Sequence, residues 1–485
     1  MQFASGDLLY IAPFLVLALS GILLVLAEAF FAGRDRSTLA GLAVAGALAA
    51  TVTSIALYRH MGPNQAKLLF SEMLVADRTA YVLSGLFGVV AALAALLAPS
   101  HQRAHGWVVG EYYGILLLAA SGMVLLAQAA NLATVFLGVE TMSIGVYVMT
   151  ALRRRSKRGN EAAMKYFLIG AFATGFLLYG MALVYGAIGT TSLVQIQGRL
   201  VSGNLGLLTV GTFMMIAAFA FKVAAVPFHM WAPDAYEGAP TPVTAFMAAA
   251  VKAAAIAAMM RLFGQFMGGD KLPYGVIGWA SPLAVLAAIT ITVGNIAAVR
   301  QDNIKRMLAY SSISHAGVLL VGLCAMGLGS ATGKASLIYY LIAYSLTTMG
   351  AFAVVAYVGN KDNERLDIDD WAGLGARHPG AALAMTVCLL SLGGMPPTGG
   401  FFAKFYVFKS AMDAQDQQLL WLTAIGVVNS AISIFYYLRI VTSMYFKDAR
   451  SEIAVTRSAG LAFVMAVCPL VILEMGIFPN WWLTL

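Results

Sequence analysis

Apolar runs of 18 or more residues recur from one end of this chain to the other, with no soluble domain between them. Each run is long enough to cross roughly 30 Å of hydrocarbon at about 1.5 Å per helical residue. A membrane β-barrel would instead repeat segments of about ten alternating residues, a pattern this sequence lacks. With 60% hydrophobic and 11% charged residues over 485 positions, and a mean hydropathy of +0.82, the chain has too little polar surface for a soluble domain of its size.

The runs predict an all-α polytopic membrane protein of about fourteen transmembrane segments, near 8–30, 38–58, 78–99, 109–128, 131–151, 161–188, 205–235, 240–266, 275–299, 303–328, 334–358, 380–411, 418–445 and 457–479. The longest connections, 59–77, 189–204, 359–379 and 446–456, hold about twenty residues at most. The whole of 1–485 is therefore read as a single membrane domain, with its chemistry inside the bundle.

A net charge of +8 and the run "RRRSKR" (153–158) invite a nucleic-acid reading, but loops on the cytoplasmic side of membrane proteins collect Lys and Arg. Counting alternate loops tests this. The set at 33–37, 100–108, 152–160, 300–306, 359–379 and 446–457 carries seventeen Lys/Arg. The opposite set carries seven: Arg59, Lys67, Arg78, Arg199, Lys271, Lys334 and Lys409. The first set is expected on the cytoplasmic side, with both termini on the outer side and no nucleic acid as partner. "MQFASGD" has no basic leader region, so the first segment is expected to be retained.

Cys324, Cys388 and Cys468 stand singly in apolar segments, and no CxxC pair or His/Cys cluster has metal spacing. No phosphate-binding glycine loop follows a strand. The expectation is a chain without its own metal or cofactor.

Twenty-four of the thirty Lys/Arg fall in the loops counted above. Of the six others, Arg261 and Arg439 lie near segment ends, where long side chains reach the headgroups. Lys165 lies one turn into its segment, so reaching for the interface is a competing explanation of it. Lys222, Lys252 and Lys404 are read as mid-segment, and Glu140 is the only acid at comparable depth. A charge at mid-membrane costs about 2.5–3.5 kcal/mol, so four such positions amount to roughly 10 kcal/mol, comparable with the net stability of a domain. One carboxylate cannot compensate several lysines. Burial disfavours a lysine's charge and a nearby carboxylate favours it, so a lysine under both influences is switched by moving its partner. A proton relay requires that behaviour. His229 and His315 add titratable groups in polar surroundings, whereas His60, His101, His105 and His378 read as loop residues.

The segment 205–235 would run about 45 Å as a straight helix, and Pro227 predicts a break near 223–227. A second break is expected in "LSLGGMPPTGGFFAKFYVF" (390–408), where Gly393, Gly394, Pro396, Pro397, Gly399 and Gly400 allow no continuous helix. Paired interruptions in corresponding halves mark ion paths in transporters built from repeats. Laying 160–186 on 333–359 matches six of twenty-seven positions and pairs the two broken segments. The organisation expected is an N-terminal group (1–108), two inverted five-segment repeats, segments 4–8 (109–266) and 9–13 (275–445), and a final segment (457–479).

At "LGVETMSIGVYVMTAL" (137–152), "EAAMKYFLIGAFATGFLLYG" (161–180), "KVAAVPFHMWAPDAYEGAPTPVTAF" (222–246), "QDNIKRMLAYSSISHAG" (301–317) and "GGMPPTGGFFAKFYVF" (393–408), the sequence resembles the antiporter-like membrane subunits of respiratory complex I, the bacterial NADH:quinone oxidoreductase. The resemblance spans essentially all fourteen segments and favours the subunit N branch. A sibling branch carries glutamate where Lys404 stands, and another carries a long lateral C-terminal helix after the point where this sequence ends with "IFPNWWLTL".

By position, the resemblance implies that Glu140 pairs with Lys222, that Lys252 is the central lysine and that Lys404 leads to the exit or to a neighbouring subunit. It also implies that Lys165 modulates the pair and that His229 and His315 belong to the hydrated axis. The implied activity is proton translocation coupled to quinone reduction elsewhere, as one subunit of a translocase. FMN, iron–sulfur clusters and quinone would sit on other subunits. Neighbouring antiporter-like subunits and the bilayer would be the partners, and the bacterial inner membrane the location. The rival is a subunit of a stand-alone Na⁺(cation)/H⁺ antiporter, for which a single deep carboxylate is a poor Na⁺ site. A third reading, an inert spacer, leaves four buried charges unexplained.

Overall fold

The computed structural model describes residues 6–30, 36–200, 202–266, 278–359, 364–414, 419–449 and 453–484. Arg34, Lys271, Lys361 and Arg450 of the loop count lie outside the described residues, as do the predicted segment starts at 275 and 418.

Twelve described helices are long and apolar enough to cross a membrane, and two shorter apolar helices stand among them. In chain order they begin with α1 (Ala12–Phe30) and α2 (Ser37–His60). The connection 59–77 then forms a hairpin that the hydropathy pattern does not mark, β1 (Ala66–Leu69) paired antiparallel with β2 (Leu74–Asp77). Then come α3 (Arg78–His105), α4 (Glu111–Ala127), α5 (Leu132–Thr150) and α6 (Lys157–Ile188). The first interrupted segment is α7 (Leu205–Lys222) and α8 (Trp231–Gly238). Next are α9 (Thr241–Gly264), α10 (Ala280–Val299), α11 (Ile304–Gly327) and α12 (Gly333–Tyr357). The second interrupted segment is α13 (Pro379–Gly393) and α14 (Gly399–Met412), followed by α15 (Leu420–Phe446) and α16 (Ala459–Ile477).

Helix starts follow local chemistry. Asp77, Asn131, Ser156, Asn204, Asn303 and Ser458 each accept a backbone N–H with their side chains at the first turn of α3, α5, α6, α7, α11 and α16. Both expected breaks are present, one after Lys222 and one between Gly393 and Gly399. A third irregularity has no proline or glycine within it: α9 contains a π-helical turn at Met247–Val251, and a second π-helical stretch, Met260–Phe266, closes the helix around Gly264.

The apolar stretch of α9 and of α12 is 100% buried and that of α11 94%, against 28% for α1 and 33% for α6 and α15. The former therefore form the centre and the latter the outer wall. Small residues let the wall approach the centre closely. A Cβ on Gly180 of α6 or on Gly211 of α7 would lie 2.7 Å from the other's carbonyl oxygen, so the α6–α7 contact depends on both glycines.

Candidate proton relay

Lys222 is the last residue of α7, not a mid-helix residue as the hydropathy implied. The break places its ammonium at the negative end of a helix dipole, where a cation is favoured. The chain then turns through Ala224, whose φ of 57° is left-handed. The backbone groups freed by the break are largely taken up. Ala225 donates to Ala220 O (2.7 Å), Val226 to Thr290 Oγ1 (2.9 Å), and Trp231 Nε1 to Phe221 O (3.1 Å).

The partners of Lys222 are hydroxyls. Its Nζ donates to Ser143 Oγ at 2.8 Å and to Tyr147 OH at 3.1 Å, and the residue is 5% exposed. Glu140, Ser143 and Tyr147 follow one another at i, i+3 and i+7 of α5, on one face. The expected Glu140–Lys222 contact is corrected accordingly, since no ion pair within 4.0 Å joins them among the described residues. The half-buried Glu140 carboxylate instead accepts from Thr174 Oγ1 of α6 at 2.6 Å.

Lys252, buried in α9, begins directly after the first π turn and donates to both the carbonyl and the hydroxyl of Ser312 in α11. Ser312 Oγ also receives Tyr344 OH at 2.8 Å and lies 3.2 Å from Tyr236 OH. One turn along α11, His315 is held at both nitrogens, Nδ1 by Tyr340 OH (2.6 Å) and Nε2 by Tyr437 OH (3.2 Å). Tyr437 OH lies 2.5 Å from Ser311 Oγ. Four tyrosines and two serines thus lie between and around Lys252 and His315, a donor–acceptor network with no distinctive mark in the sequence.

Lys404, one turn into α14, is buried and donates to Gly393 O at 3.0 Å. The glycines of this break have separate tasks. Gly394 has φ +79°, and a Cβ there would lie 2.9 Å from Lys404 Cδ. A Cβ on Gly400 would collide with Ser391 O, and its N–H donates to Ser391 Oγ at 3.2 Å.

The other sequence candidates lie apart. Lys165 does not touch the Glu140–Lys222 region. It pairs with Glu161 (2.7 Å) and Asp234 (2.8 Å), and Arg306 joins Asp234 (2.8 Å) and Glu237 (3.0 Å). His229 stands half-buried between exposed Phe228 and Met230 at the outer face of the first break, with Nδ1 unpartnered, and does not reach the lysines. Arg261 does not reach outward but is 3% exposed and grips Asp77 through two nitrogens at 2.6 and 2.7 Å.

His101 and His105, read as loop residues, lie in α3, and their ligand atoms and those of Glu364 fall within 4.8 Å of one another. The chemistry there favours an ion-pair cluster over a cation site. Trp107 Nε1 donates to His101 Nδ1 (3.0 Å), which puts the ring proton on Nε2. Lys305 (2.9 Å) and Arg153 already hold Glu364. Burial alone would raise the Glu364 pKa, but Lys305, His101 and Arg153 outweigh it and hold the carboxyl well below its usual range.

Residues 129–433 match the family described as NADH:quinone oxidoreductase/Mrp antiporter, transmembrane. The chain is similar to the NADH-quinone oxidoreductase subunit N of Trichlorobacter lovleyi, 43% identical over 484 residues that cover 99% of this chain and 96% of the relative. It is also similar to a chain of respiratory complex I from Thermus thermophilus, with a TM-score of 0.81 and 30% identity over 97% of this chain and 98% of that one. A chain of the Mrp complex from Dietzia shares the fold alone, with a TM-score of 0.83 and 20% identity covering 98% of this chain and 96% of that one. With nearly its full length matched to subunit N relatives, this chain belongs to the NADH:quinone oxidoreductase/Mrp antiporter membrane family.

Proposed function

We propose that this chain is a proton-translocating membrane subunit of a bacterial NADH:quinone oxidoreductase and carries protons through Lys222, Lys252 and Lys404. The observation that carries this reading is that all three lysines are buried and hydrogen-bonded to hydroxyl or carbonyl oxygens, with no carboxylate in contact among the described residues. A buried lysine held by neutral acceptors can keep or give up its proton without breaking an ion pair. Glu140 biases Lys222 through Ser143 and Tyr147, and a change in charge near Glu140 releases the Lys222 proton toward Lys252. The Ser312–Tyr344–Tyr236 group and the His315–Tyr340–Tyr437 group then carry it toward Lys404, with ordered water completing the steps. Lys165 acts from outside this line, holding α8 through Asp234. His229 is an outward-facing polar group rather than a relay member.

In this reading the chain crosses the inner membrane fourteen times with both termini on the periplasmic side. Segments 4–8 and 9–13 form inverted repeats whose broken members are α7–α8 and α13–α14. The twelve long and two shorter apolar helices support the count. Flavin, iron–sulfur clusters and quinone belong to partner subunits, and neighbouring antiporter-like subunits continue the path. The antiporter alternative is not favoured: among the described residues the relay lysines contact no carboxylate, leaving little to coordinate Na⁺.

The test is reconstitution of the complex with Lys222→Ala, Lys252→Ala or Glu140→Gln, measuring NADH oxidation and proton uptake into liposomes. Each variant should assemble, and the lysine variants should lose proton transfer. Full pumping by assembled Lys222→Ala refutes the relay.

A further inference from the structure

We propose that a cleft on the Arg-rich loop face binds the phosphate of an anionic phospholipid. The proposal depends on the chain spanning a membrane and is independent of the relay.

The cleft encloses about 800 Å³ and is lined by Arg36, His105, Glu111, Arg153, Arg154 and Arg155. Three helices, α2, α4 and α6, begin at its rim, after Arg36, Gly110 and Ser156. Their N-termini add positive dipole ends to four guanidinium groups. The acids nearby are largely engaged. Glu28 is held by Arg36 Nη2 at 2.6 Å and Glu364 by Arg153 and Lys305, leaving exposed Glu111 as the acid on the lining itself. Arg36 is fixed further by Nη1 donating to Val108 O at 2.5 Å. Arg154 and Arg155 are exposed and have no ion-pair partner among the described residues. Two forked donors of fixed charge, beside helix N-termini, match a phosphate oxyanion.

The depth of the cleft argues for a lipid over a soluble phosphate. It lies where α3 and α5 end and α4 and α6 begin, so with these helices spanning the bilayer it falls towards the headgroups. Its wall also includes Val108, Val109 and Leu152. A diacyl phospholipid presents a phosphate at this depth with its chains alongside the bundle, and anionic lipids are attracted to basic clusters next to transmembrane helices.

The experiment is native mass spectrometry of the delipidated complex, titrated with phosphatidylglycerol or phosphatidylcholine in detergent. Wild type is compared with Arg154→Gln/Arg155→Gln and with Arg154→Lys/Arg155→Lys. Wild type should prefer phosphatidylglycerol, the glutamine variant should bind it about tenfold more weakly, and the charge-preserving variant, which keeps the charge but loses the fork, should fall between the two and confirm an intact fold. Equal binding by wild type and the glutamine variant, or no preference for the anionic headgroup, overturns the proposal. Full displacement of the lipid by excess inorganic phosphate assigns the cleft to a soluble anion and overturns the lipid assignment.

Discussion

The Lys404 ammonium reaches back across the second helix interruption to the carbonyl oxygen of Gly393, 3.0 Å away. The carbonyl is free for this because α13 ends at Gly393 and Gly394 turns the chain into the left-handed region. The lysine and the break are thus one unit. Gly394→Ala should cost about 1–2 kcal/mol through its backbone alone, and its methyl would push Lys404 off the carbonyl. Thermal stability of the purified complex should fall by that amount, and protons moved per NADH oxidised should fall with it. A Gly394→Ala complex that pumps normally would break the link between this turn and the lysine.

Ser143 and Tyr147 hold Lys222, so their removal should mimic loss of the lysine's function without loss of its charge. A hydrogen bond to a charged group is worth about 1.5–3 kcal/mol. Ser143→Ala should therefore slow proton transfer by about tenfold, and Ser143→Ala/Tyr147→Phe should approach Lys222→Ala. The double variant must assemble normally for the comparison to count. If it then pumps at the wild-type rate, the hydroxyls are bystanders.

Arg261 and Asp77 form a buried, two-point ion pair between α9 and the start of α3. Removing one partner strands a charge, at a cost of about 3–5 kcal/mol. Asp77→Ala should therefore impair assembly, visible on native gels and as a lowered melting temperature. Asp77→Ala/Arg261→Met removes both charges and should recover most of the loss. Equal damage in the single and double variants would place the role of Asp77 in its cap on Ala80 N rather than in the pair.

Glu364 supplies a pH dependence. Its folded pKa lies below the ordinary value of 4.5, because Lys305, His101 and Arg153 outweigh the effect of burial. Its contribution to stability is therefore complete above that ordinary value and is lost as pH falls below it. The stability difference between wild type and Glu364→Gln should be constant from neutral pH down to about 5 and shrink below that. Thermal unfolding across that range measures it, and a difference that grows on acidification would reverse the assignment.

The sequence made visible whatever appears as an exception within an apolar run. Lys222, Lys252 and Lys404 stand out against their neighbours, and Pro227 and the glycine pairs around 393–400 mark the two breaks. What the lysines touch was not legible. Ser143, Tyr147, Ser312, Tyr344 and Tyr437 are ordinary constituents of membrane helices and acquire meaning only when three-dimensional packing brings them to an ammonium. The sequence did offer one clue, since Ser143 and Tyr147 share the helical face of Glu140. Arg261 was misjudged because its acid lies 184 residues away in a hairpin that hydropathy cannot detect. For Lys165 the sequence leaves two explanations open, because position along a segment says nothing about the direction in which a side chain leaves it; its exposed pairs with Glu161 and Asp234 fit the reach towards the interface.

The π turn at Met247–Val251 makes the aim of Lys252 a matter of residue count. An α-helix advances about 100° per residue, so one residue accommodated in a wide turn changes the phase of everything after it. Inserting a single alanine at 248–250, beyond the one the wide turn already absorbs, would preserve composition, hydropathy and very nearly the length of α9, yet swing the lysine by about a quarter-turn away from Ser312. In a stretch as uniform as "FMAAAVKAAAIAAMM", the information that directs the lysine is therefore numerical, and an indel there is more damaging than most substitutions.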